Sequence, residues 1–386
     1  MLKDQTFLRI PGPTPIPPSV QQALSRPMSG HRSNETSELF ASLQPGLHKV
    51  FGTTQDVLIL TGSGTSALEA AVVNTVQAGD EVLVIVTGSF GERFVGICEA
   101  YDITVHRLDV EWGTSFQVED VQESLKKHPA VKAVFATFCE TSTGVINPIT
   151  LLSKAVNEVS EALTIVDGVS CVGGVQTRMD DWGIDILVTG SQKALMLPPG
   201  LAFIAASVRA WKCIEMNSGR GFYLDLVKYK KGLKQNSTPF TPAVSLLFGL
   251  DEALQLLEKE GFPEVFARHT LMKKMTRAAF RSLNIPLLTN DEDASETVTA
   301  VQPNDFDADA FRKVLKSEFG LSIAGGQGRL KGKILRIGHM GYCSPADMLQ
   351  TLAMMEIGLL KIGKKIELGK GVAAAQQVYL TMRGTK

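Results

Sequence analysis

The 386-residue sequence predicts a large α/β domain on a mostly parallel central sheet, followed by a smaller C-terminal α+β domain. Three observations lead there. Between about residues 55 and 210, short apolar segments alternate with helix-length stretches. The apolar segments are rich in β-branched residues and often apolar on both faces, as buried parallel strands are. After about residue 245 the alternation gives way to long helical stripes with two strand-like runs.

Taken in order, residues 1–18 form a proline-rich arm, too short to be a domain and expected to pack against one or against a partner subunit. Residues 19–255 are read as the large domain. Its strands are expected at 57–60, 81–86, 103–108, 131–137, 163–167, 184–188 and 201–206, with helices between them such as 66–77 and 117–127. Residues 256–386 are read as the small domain. There Met272, Met275, Ala279 and Leu283 recur at i, i+3, i+7 and i+11, one face of a helix. Residues 297–301 and 333–337 read as strands flanking a helix at 308–316. A last helix is expected from Ser344, with serine as N-cap, Pro345 at the first helical position and Asp347 in the first turn. Its stripe of Met348, Leu352, Met355, Leu359 and Ile362 is core or interface.

Composition narrows the function. Net charge is 39 − 40 = −1, which makes no case for binding nucleic acid or an acidic membrane surface. Five scattered cysteines without a CxxC pair read as reduced thiols, and no apolar run approaches a membrane span, so a soluble, cytoplasmic protein is expected. The N-terminus lacks the apolar run of a signal peptide. The histidines show no zinc spacing.

Five segments at strand ends carry the chemistry. Thr61-Gly62-Ser63-Gly64-Thr65-Ser66 joins a strand to a helix, where glycines allow close approach and a helix N-terminus offers N–H groups to an anion; it is a phosphate cradle or an ordinary turn. Phe90, in Thr87-Gly88-Ser89-Phe90-Gly91, stacks on a planar ring or belongs to the core. Cys139-Glu140-Thr141-Ser142-Thr143-Gly144 adds hydroxyls after the next strand. Asp167 ends an apolar strand on a carboxylate, and Lys193, 26 residues later, follows another among small polar residues. Burying an unpaired ammonium is costly, and a lysine escapes that cost when neutral or tied up as an imine with a carbonyl cofactor. Pyridoxal phosphate (PLP) needs that lysine together with an acid facing its pyridine nitrogen. In a parallel sheet ligands bind outside the carboxyl ends of the strands, so the five segments converge on one edge.

With these residues in view, the chain resembles the class V, fold-type I PLP-dependent aminotransferases, nearest the alanine–glyoxylate and serine–pyruvate group. The resemblance runs from Pro11-Gly12-Pro13-Thr14 to Leu335-Arg336-Ile337-Gly338 and is most specific at Gly190-Ser191-Gln192-Lys193-Ala194 and Glu140-Thr141-Ser142-Thr143-Gly144. It implies Lys193 as the Schiff-base lysine, Asp167 at the pyridine nitrogen and Phe90 as the ring stacker. It also implies Ser63, Gly64, Thr65 and Gln192 around the phosphate and Ser142 beside the ring. Thr238 and Thr241 would reach the phosphate of the neighbouring subunit of a homodimer. Arg336 would bind the substrate α-carboxylate, and Gly12 would line the substrate site. The implied reaction is transamination between a small L-amino acid (alanine, serine or similar) and a small 2-oxo acid such as glyoxylate or pyruvate. The alternatives are a ureidoglycine- or aspartate-using aminotransferase, a PLP lyase or desulfurase, and a non-catalytic scaffold. Cys343, at a helix start, is poorly placed for a desulfurase nucleophile. His31 and Arg32 lie in a segment that lines the substrate entrance in the family.

Overall fold

A computed structural model describes residues 6–217 and 221–384. Seven strands form its central sheet: β1 (Val57–Gly62), β2 (Glu81–Val86), β3 (Thr104–Asp109), β4 (Val131–Thr137), β5 (Leu163–Asp167), β6 (Ile186–Gly190) and β7 (Gly200–Ala206). Their spatial order is β1-β7-β6-β5-β4-β2-β3. Only β7 runs antiparallel, against both β1 and β6. Every expected strand of the large domain is therefore present. The expected start of β6 at residue 184 moves to 186 because Asp185 caps the strand: its carboxylate takes the Thr164 amide at 2.8 Å and the Arg209 Nε at 3.0 Å.

The helices α1 (Gly64–Thr75), α2 (Ser89–Ala100) and α3 (Val118–Lys127) belong to this alternating region. Both sheet faces are covered. Leu83, Ile85, Val134 and Phe203 pack on one side with Val121 and Leu125 of α3, while Val82, Val84, Phe135 and Ile204 pack on the other with Phe94 of α2. Near-continuous burial of β4, β5 and β6 follows from strands that are apolar on both faces.

α4 (Val244–Glu260) packs with the first of these clusters, and α5 (Phe262–Ser282) leads into a separate one. That second core holds Met272, Met275, Ala279 and Leu283, as their spacing requires, with α6 (Ala308–Phe319) and α7 (Pro345–Lys361). A three-stranded antiparallel sheet joins β8 (Val298–Val301), β9 (Ala324–Gly325) and β10 (Leu335–Gly338) in the order β8-β10-β9. The start of α7 carries a full capping box, with the Ser344 amide donating to Asp347 at 2.8 Å and the Asp347 amide to Ser344 Oγ at 3.2 Å. α7 is not the last helix, contrary to expectation. α8 (Lys370–Arg383) follows and lies on α5, approaching closely through Gly371 and Ala375. Its run Val372-Ala373-Ala374-Ala375 has no strong apolar stripe, because small residues let the backbone itself serve as the packing surface.

The arm pairs with the C-terminal part of the chain: Phe7–Leu8 forms a parallel bridge to Leu321–Ser322, and the Gly338 amide donates to Arg9 O at 2.7 Å. This threads residues 11–14 across the carboxyl edge of the central sheet.

Candidate active site

The carboxyl ends of β1, β2, β4, β5 and β6 bring Ser63, Gly64, Thr65, Phe90, Ser142, Asp167, Gln192 and Lys193 to one edge. Lys193, three residues beyond β6, is buried and hemmed in on two sides. Its Nζ donates to Pro11 O, and Thr14 Oγ1 donates to its carbonyl at 3.0 Å. Gly12 has φ +115°, and a Cβ there would lie 2.6 Å from Lys193 Cδ, so the lysine's stem fills the space a side chain would take. Burial, reinforced by the Arg336 and Arg93 cations, lowers the Lys193 ammonium to about 8. A usable fraction of the amine is thus neutral near physiological pH.

Asp167 closes β5 at 2 % exposure. The Val169 amide donates to its Oδ1 at 2.8 Å, and burial raises its pKa to about 6 against the pull of Arg93 and Lys193. A buried carboxylate with one backbone donor retains lone pairs for a protonated ring nitrogen.

Ser63 caps α1 with its backbone alone, leaving its side chain unspent on the helix. A Cβ on Gly64 would sit 2.8 Å from Val169 Cγ2, and one on Gly190 would sit 3.0 Å from Gln192 Oε1 and 3.6 Å from Gly64 Cα. The Gln192 side-chain carbonyl is buried with no partner among the described residues. The first turn of α1 and the unspent Ser63 hydroxyl make a cradle of the kind a phosphate fills, to which Gln192 could add only the NH2 end of its amide as a donor.

Phe90 is held by a residue whose role no local pattern discloses. Glu140, fully buried, accepts from the amides of Phe90 (3.0 Å), Gly91 (3.2 Å) and Ser142 (3.1 Å) and from the Ser142 hydroxyl. Ser142 Oγ in turn accepts from the Ser89 amide at 2.9 Å. One carboxylate therefore satisfies the first turn of α2 and fixes the hydroxyl loop against it. Burial raises the Glu140 pKa while these donors oppose the rise. Arg93, one turn further along α2, lays its guanidinium 4.6 Å from the Phe90 ring centroid and donates to Thr65 Oγ1 at 3.3 Å. Sequence reading missed both Glu140 and Arg93. Phe90 and Glu140 are 50 residues apart, and only the fold joins them.

Arg336, on β10, reaches this edge from the C-terminal sheet. It is 6 % exposed, donating from Nε to Gly325 O at 2.8 Å and from Nη1 to Thr141 O at 3.0 Å. Burial lowers its pKa to about 10, opposed by Glu140, which leaves it cationic at neutral pH. Two of its five N–H donors are committed, and the rest remain for an anion.

Thr238 and Thr241 stand apart from this group. Thr238 Oγ1 donates to Phe240 O at 2.6 Å, its carbonyl is held by Arg32 at 2.7 Å, and Thr241 is exposed in a groove with His31. Neither hydroxyl bonds the phosphate loop within the described residues. Arg32 is spent on Ser237 and Thr238. A cavity of about 1050 Å³ lies behind the Lys193 loop at Met196 and Gly341. Its arginines are already paired, Arg9 with Asp347 and Arg268 with Glu260, so the reactive groups mark the Lys193 edge instead.

Comparison with known proteins identifies the family. Residues 7–340 match the family model for aminotransferase class V. The chain is 42% identical to the soluble hydrogenase small subunit of a Synechococcus species, over 98% of this chain and all of that one. It is 35% identical to the L-aspartate–glyoxylate aminotransferase of Paracoccus denitrificans, over 98% and 97% of the two. The crystal structure of ureidoglycine–glyoxylate aminotransferase from Bacillus subtilis superposes with a TM-score of 0.91 at 31% identity, covering 98% of this chain and 99% of that one. The chain belongs to the class V aminotransferases and is a pyridoxal-phosphate-dependent enzyme on the type I fold of that family.

Proposed function

We propose that this enzyme transfers the amino group of a small L-amino acid to glyoxylate or a similarly small 2-oxo acid, with Lys193, Asp167 and Arg336 as its working residues. The observation that carries the reading is the convergence of a buried amine with its pKa lowered to about 8, a buried carboxylate and a part-committed arginine on one sheet edge. Relatives named for different donors, aspartate, serine and ureidoglycine, share glyoxylate as acceptor. The acceptor is therefore the better supported half of the pair.

The cradle, the stacker and the acid fit the cofactor. Ser63, Gly64, Thr65 and Gln192 would hold its phosphate, Phe90 and Ser142 its ring, Asp167 its pyridine nitrogen and Lys193 its carbonyl carbon. When bound, PLP supplies an electron sink for the bond broken at the amino acid's Cα. The chain supplies the rest. Arg336 orients the α-carboxylate as a planar cation. Lys193, with its proton affinity lowered by burial, takes the Cα proton and returns it on the other side of the transfer. Gly12 and Pro11 keep water and bulk away from the lysine. We also infer a cytoplasmic homodimer in which Thr238 and Thr241 serve the partner's phosphate site, with the small domain beginning near residue 256.

The Synechococcus relative is named as a hydrogenase subunit, and the cysteines of this chain give no support to a thiolate-held cluster. Its five cysteines lack the spacing of a thiolate-held cluster, and Cys98, Cys139, Cys171 and Cys343 are buried.

The test is a steady-state assay with glyoxylate as acceptor and L-alanine, L-serine or L-aspartate as donor. Glycine formation from at least one donor is expected; none from any of them, by PLP-loaded enzyme, overturns the reading. Glu140→Gln is expected to weaken PLP binding by about 10–100-fold, because an amide nitrogen would face backbone donors in place of an acceptor. Unchanged PLP affinity would show that Glu140 does not set Phe90 and Ser142.

A further inference from the structure

A second cluster of reactive side chains lies toward the amino ends of β2 and β3, away from the Lys193 edge. Glu81 opens β2 in register with Thr104, and His106 follows two residues along β3, so both side chains project from the same sheet face. That face carries α3, whose Val121 and Leu125 pack with Leu83, and His128 at the end of α3 completes the group. Glu81 Oε2 lies 2.7 Å from His106 Nε2. The rings of His106 and His128 stack with centroids 3.6 Å apart and planes 20° from parallel. One ligand atom from each residue lies within 4.8 Å of the other two, and all three residues are half-buried. No other trio of histidine, cysteine or acidic side chains among the described residues is so arranged.

We propose that Glu81, His106 and His128 bind a divalent transition-metal ion, with Zn²⁺ as the best match. Two imidazoles and one carboxylate suit such an ion, with water in the remaining position. Ligand atoms about 2.0–2.1 Å from a tetrahedral ion lie roughly 3.3 Å from one another. Reaching that spacing opens the Glu81–His106 pair by about half an ångström and closes the wider separations by no more than about 1.5 Å, and it requires the two imidazoles to swing out of their near-parallel stack so that both nitrogen lone pairs face the ion. Among the described residues the His128 ring stacks on that of His106, and its ring nitrogens bond none of them. β3 is the outer strand at one end of the sheet, with β2 as its neighbour. An ion here would tie this otherwise open edge to the end of α3. The inference is independent of the transamination reading.

Titration calorimetry of the PLP-loaded enzyme with ZnCl₂, after dialysis against a chelator and in a non-coordinating buffer, tests it. One saturable site per chain is expected, with a rise of several degrees in Tm at saturation. His106→Asn and His128→Asn should each weaken binding at least about tenfold, since each removes one of three ligands. Both variants should keep the wild-type kcat, because neither residue touches the Lys193 edge. Glu81→Gln provides a third reading should a histidine variant fold poorly. No saturable heat, or Zn²⁺ binding that survives all the folded variants unchanged, overturns the proposal.

Discussion

Lys193→Ala should leave a folded protein with kcat/KM lowered by at least about 10⁴-fold, since both the covalent anchor and the proton-transferring amine go at once. The fold should survive because the change removes a buried ammonium whose hydrogen bond goes to Pro11 O, rather than a packed apolar group. A methyl group in its place leaves space beside Gly12, where the lysine stem now lies. Thermal unfolding within a few degrees of wild type, with turnover lost for every donor, is the expected pair of results. Retained transamination would remove Lys193 from the mechanism.

Arg336→Ala should raise KM for amino donors and 2-oxo acceptors alike by about 10²–10³-fold, the usual cost of truncating one partner of a buried, hydrogen-bonded charge pair. Both substrates are affected because both carry the same carboxylate. Arg336→Lys should recover only part of the loss: an ammonium keeps the charge, but cannot bond Gly325 O and Thr141 O and still present a planar fork. PLP binding should be spared in both variants, since Arg336 reaches the edge from the C-terminal sheet. An unchanged KM in the alanine variant would place the carboxylate elsewhere.

The large sheet was legible in the sequence because its strands are short, β-branched and bounded by glycines, and buried parallel strands need no partner to be recognised. The reversal of β7 was not legible: Leu201-Ala202-Phe203-Ile204 looks the same run in either direction. α8 escaped because its packing rests on small residues rather than on a stripe. At the site, Lys193, Asp167, Phe90 and Arg336 were each visible as a reactive type at a strand end or in a family motif. Glu140 stood in plain view within one of those motifs, yet its task of holding Phe90 and Ser142 is a tertiary fact. Arg93 likewise looks like a surface helix residue until the fold sets it over Phe90. Thr238 and Thr241 show the converse. Family resemblance singles them out, but a single chain leaves them away from the phosphate loop.

The central claim, that this edge carries PLP on Lys193 and exchanges amino groups through it, is tested most directly by the absorption spectrum of the purified enzyme. A band near ~420 nm is expected, bleaching toward ~330 nm on addition of a competent amino acid and returning with glyoxylate. A protein that stays colourless after incubation with PLP, or whose band no donor bleaches, would contradict it.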